Sequence, residues 1–218
     1  MRLPHSIAPF APAPGLVPAC PRAPHLLSMA LAVLLMAGCA SAPKRDADAA
    51  AQGTPGAAFA AAIGALNDGH TDAARDAFRH LAENPATPPA VAAQAWVNLG
   101  VALSRGGDFE AARVALTEAL SRAPEMADAH FNLALAERSL GHYPSARDHY
   151  FEAARLAPAR LDIPYNLGIL YELYLNQPQQ AMSAYSRYLD GGGPQAEQVR
   201  QWMETLAGQT AEQKGSDR

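Results

Sequence analysis

The stretch that decides the fold is Trp96-Val97-Asn98-Leu99-Gly100, which returns 34 residues later as His130-Phe131-Asn132-Leu133-Ala134 and after a further 34 as Pro164-Tyr165-Asn166-Leu167-Gly168. A fixed period of a few tens of residues is typical of stacked supersecondary units. Each such unit cannot bury its apolar face alone, and its neighbour completes the core. The period therefore predicts a repeat scaffold, a class of protein that binds partners and seldom catalyses.

The repeat extends well beyond these five positions. A turn glycine, an aromatic residue, two small residues and a closing proline recur at the same interval, as Gly107/Gly141, Phe109/Tyr143, Ala112/Ala146, Ala119/Ala153 and Pro124/Pro158. The small residues are expected where two helices approach closely, and the glycines where the first helix stops. Together with Trp96 and the Leu-Gly pair, these offsets resemble the tetratricopeptide repeat, a helix-turn-helix unit of this length.

The resemblance implies an all-α, right-handed α-solenoid of about four helix-turn-helix units with a C-terminal capping helix. An upstream copy keeps Gly69, Ala74 and Phe78 but has alanine in the tryptophan position, and about four extra residues near Pro88 separate it from the next unit. A degenerate terminal unit is expected, since one of its faces meets water. Downstream, the turn before Pro178 carries one added residue.

An apolar stripe at helical spacing follows the glycines at 191–193 and consists of Val199, Trp202, Met203 and Leu206. It predicts a short amphipathic helix that covers the apolar end of the last repeat. We therefore expect the repeat domain with its cap to span residues 58–208. The polar residues 209–218 are expected to form a disordered tail.

A second signal lies near the start of the chain, where residues 26–37 form an apolar run that ends in Gly38-Cys39. The run is too short to span a bilayer and is typical of a secretory signal. The stretch Leu35-Met36-Ala37-Gly38-Cys39-Ala40 resembles the lipobox of bacterial lipoproteins, which implies a signal peptide over residues 1–38 and lipidation of Cys39. Alanine at position 40 then favours the outer membrane. A buried hydrophobic helix with a lone core cysteine is the alternative.

The residues after Cys39 are rich in alanine, with prolines, glycines and mixed charge, and they predict a flexible tether over residues 39–57. The whole chain is mildly acidic, with 17 Lys and Arg against 21 Asp and Glu and a net charge of −4. It contains no basic run. This composition argues against nucleic acid or an anionic lipid surface as the main partner.

What the scaffold binds depends on its concave face, which in tetratricopeptide arrays is lined chiefly by the first helix of each repeat. Transfer of those positions gives Val97, Asn98, Val101 and Arg105, then Phe131, Asn132, Leu135 and Arg138, then Tyr165, Asn166, Ile169 and Glu172. Apolar pockets accept side chains, and asparagine amides offer both donors and acceptors to a backbone. The face therefore suits an extended or helical peptide from a protein partner.

Other roles for these residues stay open at the level of sequence. The asparagines can stabilise the inner wall by bonding neighbouring helices, and their aromatic and valine neighbours can pack between repeats. A two-point clamp on a peptide carboxylate is disfavoured, because only Arg105 and Arg138 supply positive charge, with Asp128 and Asp162 nearby.

The sequence contains no catalytic or metal-binding constellation. No two histidines stand four residues apart on one predicted helix, and His142 and His149 are expected to be exposed polar side chains. The glycines at 191–193 lack a Walker lysine and a preceding strand, so they indicate a linker. We therefore expect no metal, no cofactor, no small-molecule substrate and no enzymatic activity.

These features predict a lipid-anchored adaptor in the bacterial cell envelope, held at the outer membrane and facing the periplasm. The chain resembles tetratricopeptide lipoproteins that assist envelope machines, such as the pilotins of type IV pilus secretins. A regulatory or recruiting subunit of a cell-wall enzyme is an alternative. A cytoplasmic co-chaperone is a further alternative if residues 1–38 are not a signal peptide.

Overall fold

The structure is a computed structural model that describes residues 53–216. The predicted signal peptide, Cys39 and most of the predicted tether lie outside the described residues. The described part of the chain is helical, without strands, and none of its helices is long and apolar enough to cross a membrane. Its helices are α1 (Pro55–Asn67), α2 (Thr71–Glu83), α3 (Pro89–Arg105), α4 (Phe109–Arg122), α5 (Ala127–Ser139), α6 (Tyr143–Leu156), α7 (Asp162–Ile169), α8 (Pro178–Asp190) and α9 (Ala196–Ser216).

Consecutive helices pair into four helical hairpins, α1–α2, α3–α4, α5–α6 and α7–α8, and α9 packs against α8. This arrangement confirms the predicted stack of four repeats with a C-terminal cap. The buried apolar side chains form one group from α1 to α5 and a second from α5 to α9. Each repeat therefore completes its core with side chains from its neighbour.

Small residues lie where the two helices of a repeat meet. A Cβ atom at Gly100 would lie 2.5 Å from Cγ of Leu116, and one at Gly168 would lie 2.2 Å from Cε1 of Tyr185. Carbon atoms pack at about 3.5–4.0 Å, so neither position has room for a side chain. The Leu-Gly pair of the repeat is thus explained by the close approach of the first and second helices.

The helix ends follow local signals in the sequence. Gly107 and Gly141 have φ angles of +82° and +84°, which glycine adopts without steric cost. At α1, the hydroxyl of Thr54 accepts a hydrogen bond from the backbone N–H of Ala57 at 3.2 Å, and Pro55 is the first helical residue. The first helix therefore begins at Pro55, before the predicted start of the repeat domain at residue 58.

The added residue of the fourth repeat lies at the end of its first helix and not in an extended turn. After α7 the chain continues as a π-helical segment, Leu170–Tyr174, in which the N–H of Leu175 donates to the carbonyl of Leu170 at 3.0 Å. A hydrogen bond between residues five apart, instead of four, accommodates one extra residue without ending the helix. It leaves Leu173 and Tyr174 exposed.

The capping helix α9 is longer than the sequence predicted. Val199 and Leu206 are buried against the last repeat, as expected of a cap. The predicted disordered tail from residue 209 is helical instead, and α9 continues to Ser216. The hydroxyl of Thr210 donates to the carbonyl of Leu206 at 2.7 Å, and the Ala, Glu, Gln and Lys residues that follow have high helix propensity.

Candidate functional site

The first helices of successive repeats contact one another, with α1 against α3 and α3 against α5. Each second helix packs between its own first helix and the first helix of the next repeat. The side chains of α1, α3, α5 and α7 that point away from the hairpins therefore form one surface, which we call the first-helix face. It is the surface on which the sequence predicts a binding groove.

The structure buries part of the predicted groove. Asn98, Asn132, Val101, Leu135, Arg138 and Glu172 are half-buried, and Arg105 is exposed. The remaining predicted residues lie in the core, with relative exposures of 2% for Val97, 9% for Phe131, 6% for Tyr165, 4% for Asn166 and 7% for Ile169. A partner can reach only the first group without opening the core.

The aromatic residues beside the asparagines pack inside the stack. The ring of Phe131 lies 5.8 Å from that of Tyr150, and the ring of Tyr165 lies 5.2 Å from that of Tyr188 and 6.2 Å from Trp202. These are ordinary distances between aromatic rings in a protein core. The packing role that the sequence left open for these residues is therefore the one that the structure shows.

The three asparagines make the same bond within their own helices. The amide of each donates to the backbone carbonyl four residues earlier, at 2.9 Å for Asn98, 2.8 Å for Asn132 and 2.7 Å for Asn166. Only Asn166 bonds a neighbouring helix, where its side-chain oxygen accepts from Arg138 at 3.2 Å. Within the described residues, the side-chain oxygens of Asn98 and Asn132 have no hydrogen-bond donor.

The two arginines of the predicted groove differ in position and partner. Arg105 donates to the backbone carbonyl of Leu66 at 2.9 Å, and Arg138 donates to Asn166. Neither guanidinium takes part in an ion pair with any residue from 53 to 216. Both therefore keep an uncompensated positive charge on or beside the first-helix face.

Arg160 engages the acidic residues that the sequence placed near these arginines. Its guanidinium lies 2.6 Å from Asp128 and 2.6 Å from Asp162, and it stands 4.5 Å above the ring of Phe131. These contacts join the start of α5 to the start of α7. Sequence reasoning missed Arg160 because the position is not part of the repeat pattern, and the equivalent residue one repeat earlier is Met126.

An apolar pocket of about 220 Å³ lies between α1 and α3 on the first-helix face. Its lining consists of Gly56 and Phe59 from α1 with Ala90, Val91 and Gln94 from α3. Sequence reasoning missed it because α1 matches the repeat poorly. The available signal was Phe59, the single aromatic side chain in an alanine-rich helix.

The family follows from a comparison with known repeats. Residues 59–116 and residues 102–160 each match the model of the tetratricopeptide repeat family. The chain belongs to the tetratricopeptide repeat family. No curated protein matches the chain significantly.

Solved tetratricopeptide structures share this fold at low sequence identity. MamA from Desulfovibrio magneticus RS-1 is 18% identical with a TM-score of 0.62, and the match covers 75% of this chain and 89% of that one. PilF from Pseudomonas aeruginosa is 24% identical with a TM-score of 0.62, covering 72% and 69%. YrrB, described as a TPR protein with an unusual peptide-binding site, is 16% identical with a TM-score of 0.55, covering 68% and 75%. These likenesses establish the fold of the chain as that of tetratricopeptide proteins.

The histidines of this tetratricopeptide protein are arranged differently from the sequence prediction. His149 is half-buried and faces His130, with 3.1 Å between their Nδ1 atoms, and Nδ1 of His142 lies 2.6 Å from a carboxylate oxygen of the buried Glu137. The expectation that His142 and His149 are both exposed polar side chains is therefore wrong for His149. In residues 53–216, no three His, Cys, Asp or Glu side chains cluster to hold a metal ion.

Proposed function

We propose that this tetratricopeptide protein is an adaptor that binds a peptide segment of a partner along its first-helix face. The observation that carries the proposal is the pair Asn98 and Asn132, whose side-chain oxygens stand at equivalent places on α3 and α5 and accept no hydrogen bond from the described part of the chain. An extended peptide has backbone N–H groups that such oxygens accept. Because the two amides are already fixed by bonds within their helices, little side-chain entropy is lost on binding.

The surroundings favour a peptide with an apolar anchor and an acidic residue. The pocket beside Phe59 and Val91 can receive one apolar side chain. Arg105 and Arg138 attract negative charge, and Arg160 engages both Asp128 and Asp162. The first-helix face is therefore suited to an acidic segment, although the chain as a whole carries a net charge of −4.

A displayed peptide library tests this assignment. Peptides are selected on the parent protein, and the dissociation constant of a selected peptide is then measured by fluorescence anisotropy. We expect the variant Asn98→Ala/Asn132→Ala to bind at least about tenfold more weakly, a loss of about 1.4 kcal/mol, with an unchanged melting temperature.

The matched control is Thr117→Ala/Thr205→Ala, which removes two hydroxyls that also bond the carbonyl four residues earlier but lie on α4 and α9. The control should bind like the parent. Equal affinity for the parent and the asparagine variant would overturn the proposal, because the peptide would then occupy another surface.

The proposed site of action is the periplasmic side of the outer membrane, with Cys39 as the lipid anchor. Support comes from the apolar run at residues 26–37 and the small residues around the cysteine. Metabolic labelling with palmitate should be lost in Cys39→Ala and retained in Cys20→Ala, because residues 1–38 are removed. Labelling that survives in Cys39→Ala, or its absence from the parent, would contradict the anchor.

The proposed role is to assist assembly of an envelope machine of the pilus or secretin type. It rests on the resemblance to lipid-anchored tetratricopeptide proteins and on the first-helix face, which is suited to an acidic peptide segment. Affinity purification from detergent-solubilised membranes, with Asn98→Ala/Asn132→Ala as control, should recover components of such a machine with the parent alone. Recovery of amidases or cell-wall synthases would instead support a recruiting subunit for a cell-wall enzyme.

A further inference from the structure

Two imidazoles face each other inside the third repeat. Nδ1 of His130 on α5 lies 3.1 Å from Nδ1 of His149 on α6, and the ring centroids are 5.4 Å apart. Nε2 of His130 lies 3.0 Å from the carbonyl oxygen of Pro124. The pair therefore connects the first helix, the second helix and the turn that precedes them.

The same place in the second repeat holds a different pair. His130 stands 34 residues after Trp96, and His149 stands 34 residues after Ala115. Trp96 packs on the core, and Ala115 is buried at 2% exposure. A large apolar and a small apolar side chain thus suffice to fill this position, so packing alone does not require two titratable rings.

The partners of His130 and His149 determine where their protons lie. The carbonyl of Pro124 can only accept, so Nε2 of His130 carries the hydrogen and Nδ1 of His130 offers a lone pair. The Nδ1–H of His149 must then donate to it, which leaves Nε2 of His149 free to take a proton. A second proton would have to enter on Nδ1 of His130, where two N–H groups and two positive charges would face each other across 3.1 Å.

We propose that the His130–His149 pair is a proton-sensitive joint that holds α5 to α6 when at least one ring is neutral and releases them when both rings are protonated. In the released state each ring is hydrated and takes its proton freely. Acid therefore favours release by mass action, because the released state binds more protons than the closed state. The joint does not depend on which ligand the first-helix face binds.

Burial and the neighbouring charges set the direction of this effect. Burial, and then the charge of His130, lower the pKa of His149, while Glu137, Asp148 and Glu152 act in the opposite direction. These carboxylates have other partners: Glu137 lies beside Nδ1 of His142, Asp148 pairs with Arg147 and Glu152 pairs with Arg155.

The charges on the neighbouring helices α4 and α7 are already paired, whereas Glu125, the residue after Pro124 in the turn, is exposed and has no ion pair among residues 53–216. On α4, Arg113 pairs with Glu110 and Arg122 with Glu118, and at α7 Asp162 pairs with Arg160. A group whose pKa is lower in the closed state than in the open state disfavours the closed state as the pH falls through about 6.5. The joint is therefore stable at neutral pH and weakened in acid.

The release would move α5, which carries Asn132 and Leu135 of the first-helix face two and five residues beyond His130. A change at this joint is thus placed to alter the binding surface. The chain itself supplies the variant that removes the joint and keeps the packing: His130→Trp/His149→Ala reproduces the Trp96–Ala115 pair of the second repeat.

The test compares urea unfolding of the parent and this double variant between about pH 7.5 and about pH 5, the range in which histidine titrates. We expect the unfolding equilibrium constant of the parent to rise at least about tenfold more than that of the variant over this range. The control His80→Ala, an exposed position on α2, should behave like the parent. Resonances of the two imidazole rings should titrate in two separate steps in the parent.

A second variant keeps the experiment decisive if the double variant folds poorly. His149→Asn retains an N–H donor at the δ position for Nδ1 of His130 but cannot be protonated near neutral pH. It should fold and lose the excess pH dependence. The same pH dependence in His149→Asn, or in the double variant, as in the parent would overturn the proposal, as would simultaneous titration of both rings.

Discussion

The guanidinium of Arg138 donates a hydrogen bond to the side-chain oxygen of Asn166 across 3.2 Å and so joins the first helix of the third repeat to that of the fourth. The amide of the same asparagine donates to the carbonyl of Asp162, and the side chain is only 4% exposed. Asn98 and Asn132 occupy equivalent places in the repeat, yet within residues 53–216 their side-chain oxygens have no such donor. One sequence position therefore bonds a neighbouring helix in one repeat and bonds only its own helix in the described part of two others.

Replacement of the buried asparagine should affect stability more than replacement of a half-buried one. Asn166→Ala leaves Arg138 without its acceptor and opens a polar space in the core, whereas Asn132→Ala removes only a bond within α5. We expect Asn166→Ala to lower the free energy of unfolding by about 1–2 kcal/mol more than Asn132→Ala. Urea unfolding of both variants measures the difference. Equal losses would show that the bond between α5 and α7 contributes nothing.

The two glycines Gly168 and Gly64 should respond to alanine in opposite ways. A Cβ at Gly168 would clash with the fully buried ring of Tyr185, so Gly168→Ala should lower the free energy of unfolding by about 1–3 kcal/mol. Gly64 lies inside α1, and apart from its chain neighbours and the adjacent backbone of α1 no atom of the described residues lies within 4 Å of the Cβ position. Gly64→Ala should therefore raise the free energy of unfolding by about 0.5–1 kcal/mol. Thermal unfolding distinguishes the two variants. Destabilisation by Gly64→Ala would contradict the open space at the Cβ position of Gly64 on α1.

Two buried tyrosines should differ when their hydroxyls are removed. The hydroxyl of Tyr150 is buried and has no hydrogen-bond partner among residues 53–216, whereas that of Tyr185 donates to the carboxylate of Glu172 at 2.7 Å. Burial raises the pKa of both phenols, so both stay protonated near neutral pH. Tyr150→Phe should raise the free energy of unfolding by about 1 kcal/mol, and Tyr185→Phe should lower it by about 1.5–3 kcal/mol.

Chemical denaturation of these two tyrosine variants beside the parent provides the measurement. The two substitutions remove the same atom from the same residue type, so each serves as the control for the other. A loss of more than about 1 kcal/mol for Tyr150→Phe would mean that its hydroxyl is hydrogen-bonded in solution.

Lysine at position 160 should not stabilise the protein as well as Arg160 does. A lysine ammonium lacks the planar fork that bonds both Asp128 and Asp162, and it stacks less well on the ring of Phe131. We expect Arg160→Lys to lower the free energy of unfolding by about 1 kcal/mol, measured by urea unfolding at low salt. Arg155→Lys, which alters an exposed pair with Glu152, should leave the unfolding midpoint unchanged. Equal behaviour of the two variants would rule out a special role for Arg160.

Much of the fold could be predicted from the sequence because its determinants are local and periodic. Gly107 and Gly141 mark turns that need a positive φ angle, and Gly100 marks a close approach that recurs at Gly168. The cap was also predictable, because Val199 and Leu206 fall on one side of a helix. The position of the extra residue near Pro178 could not be predicted, because a π-helical turn and a longer loop require the same number of residues.

The candidate site was predicted less well, because a repeat pattern assigns equal roles to equivalent residues. Phe131 and Tyr165 match the groove positions but are buried among other rings. Arg160 and the pocket at Phe59 lie outside the pattern, and both depend on contacts between elements far apart in the chain. Accessibility is a property of the packed stack and is not encoded at a single position.

The sequence by itself determined that this protein is a stack of tetratricopeptide units, since a 34-residue period with small, aromatic and glycine positions leaves each unit dependent on its neighbour. Tertiary structure alone decided which of the equivalent asparagines bonds a neighbouring helix, which aromatic rings are buried, and that His130 contacts His149. The physical reason is that propensity and periodicity act along the chain, whereas burial, hydrogen-bond partners and the distance between charges depend on which helices pack together.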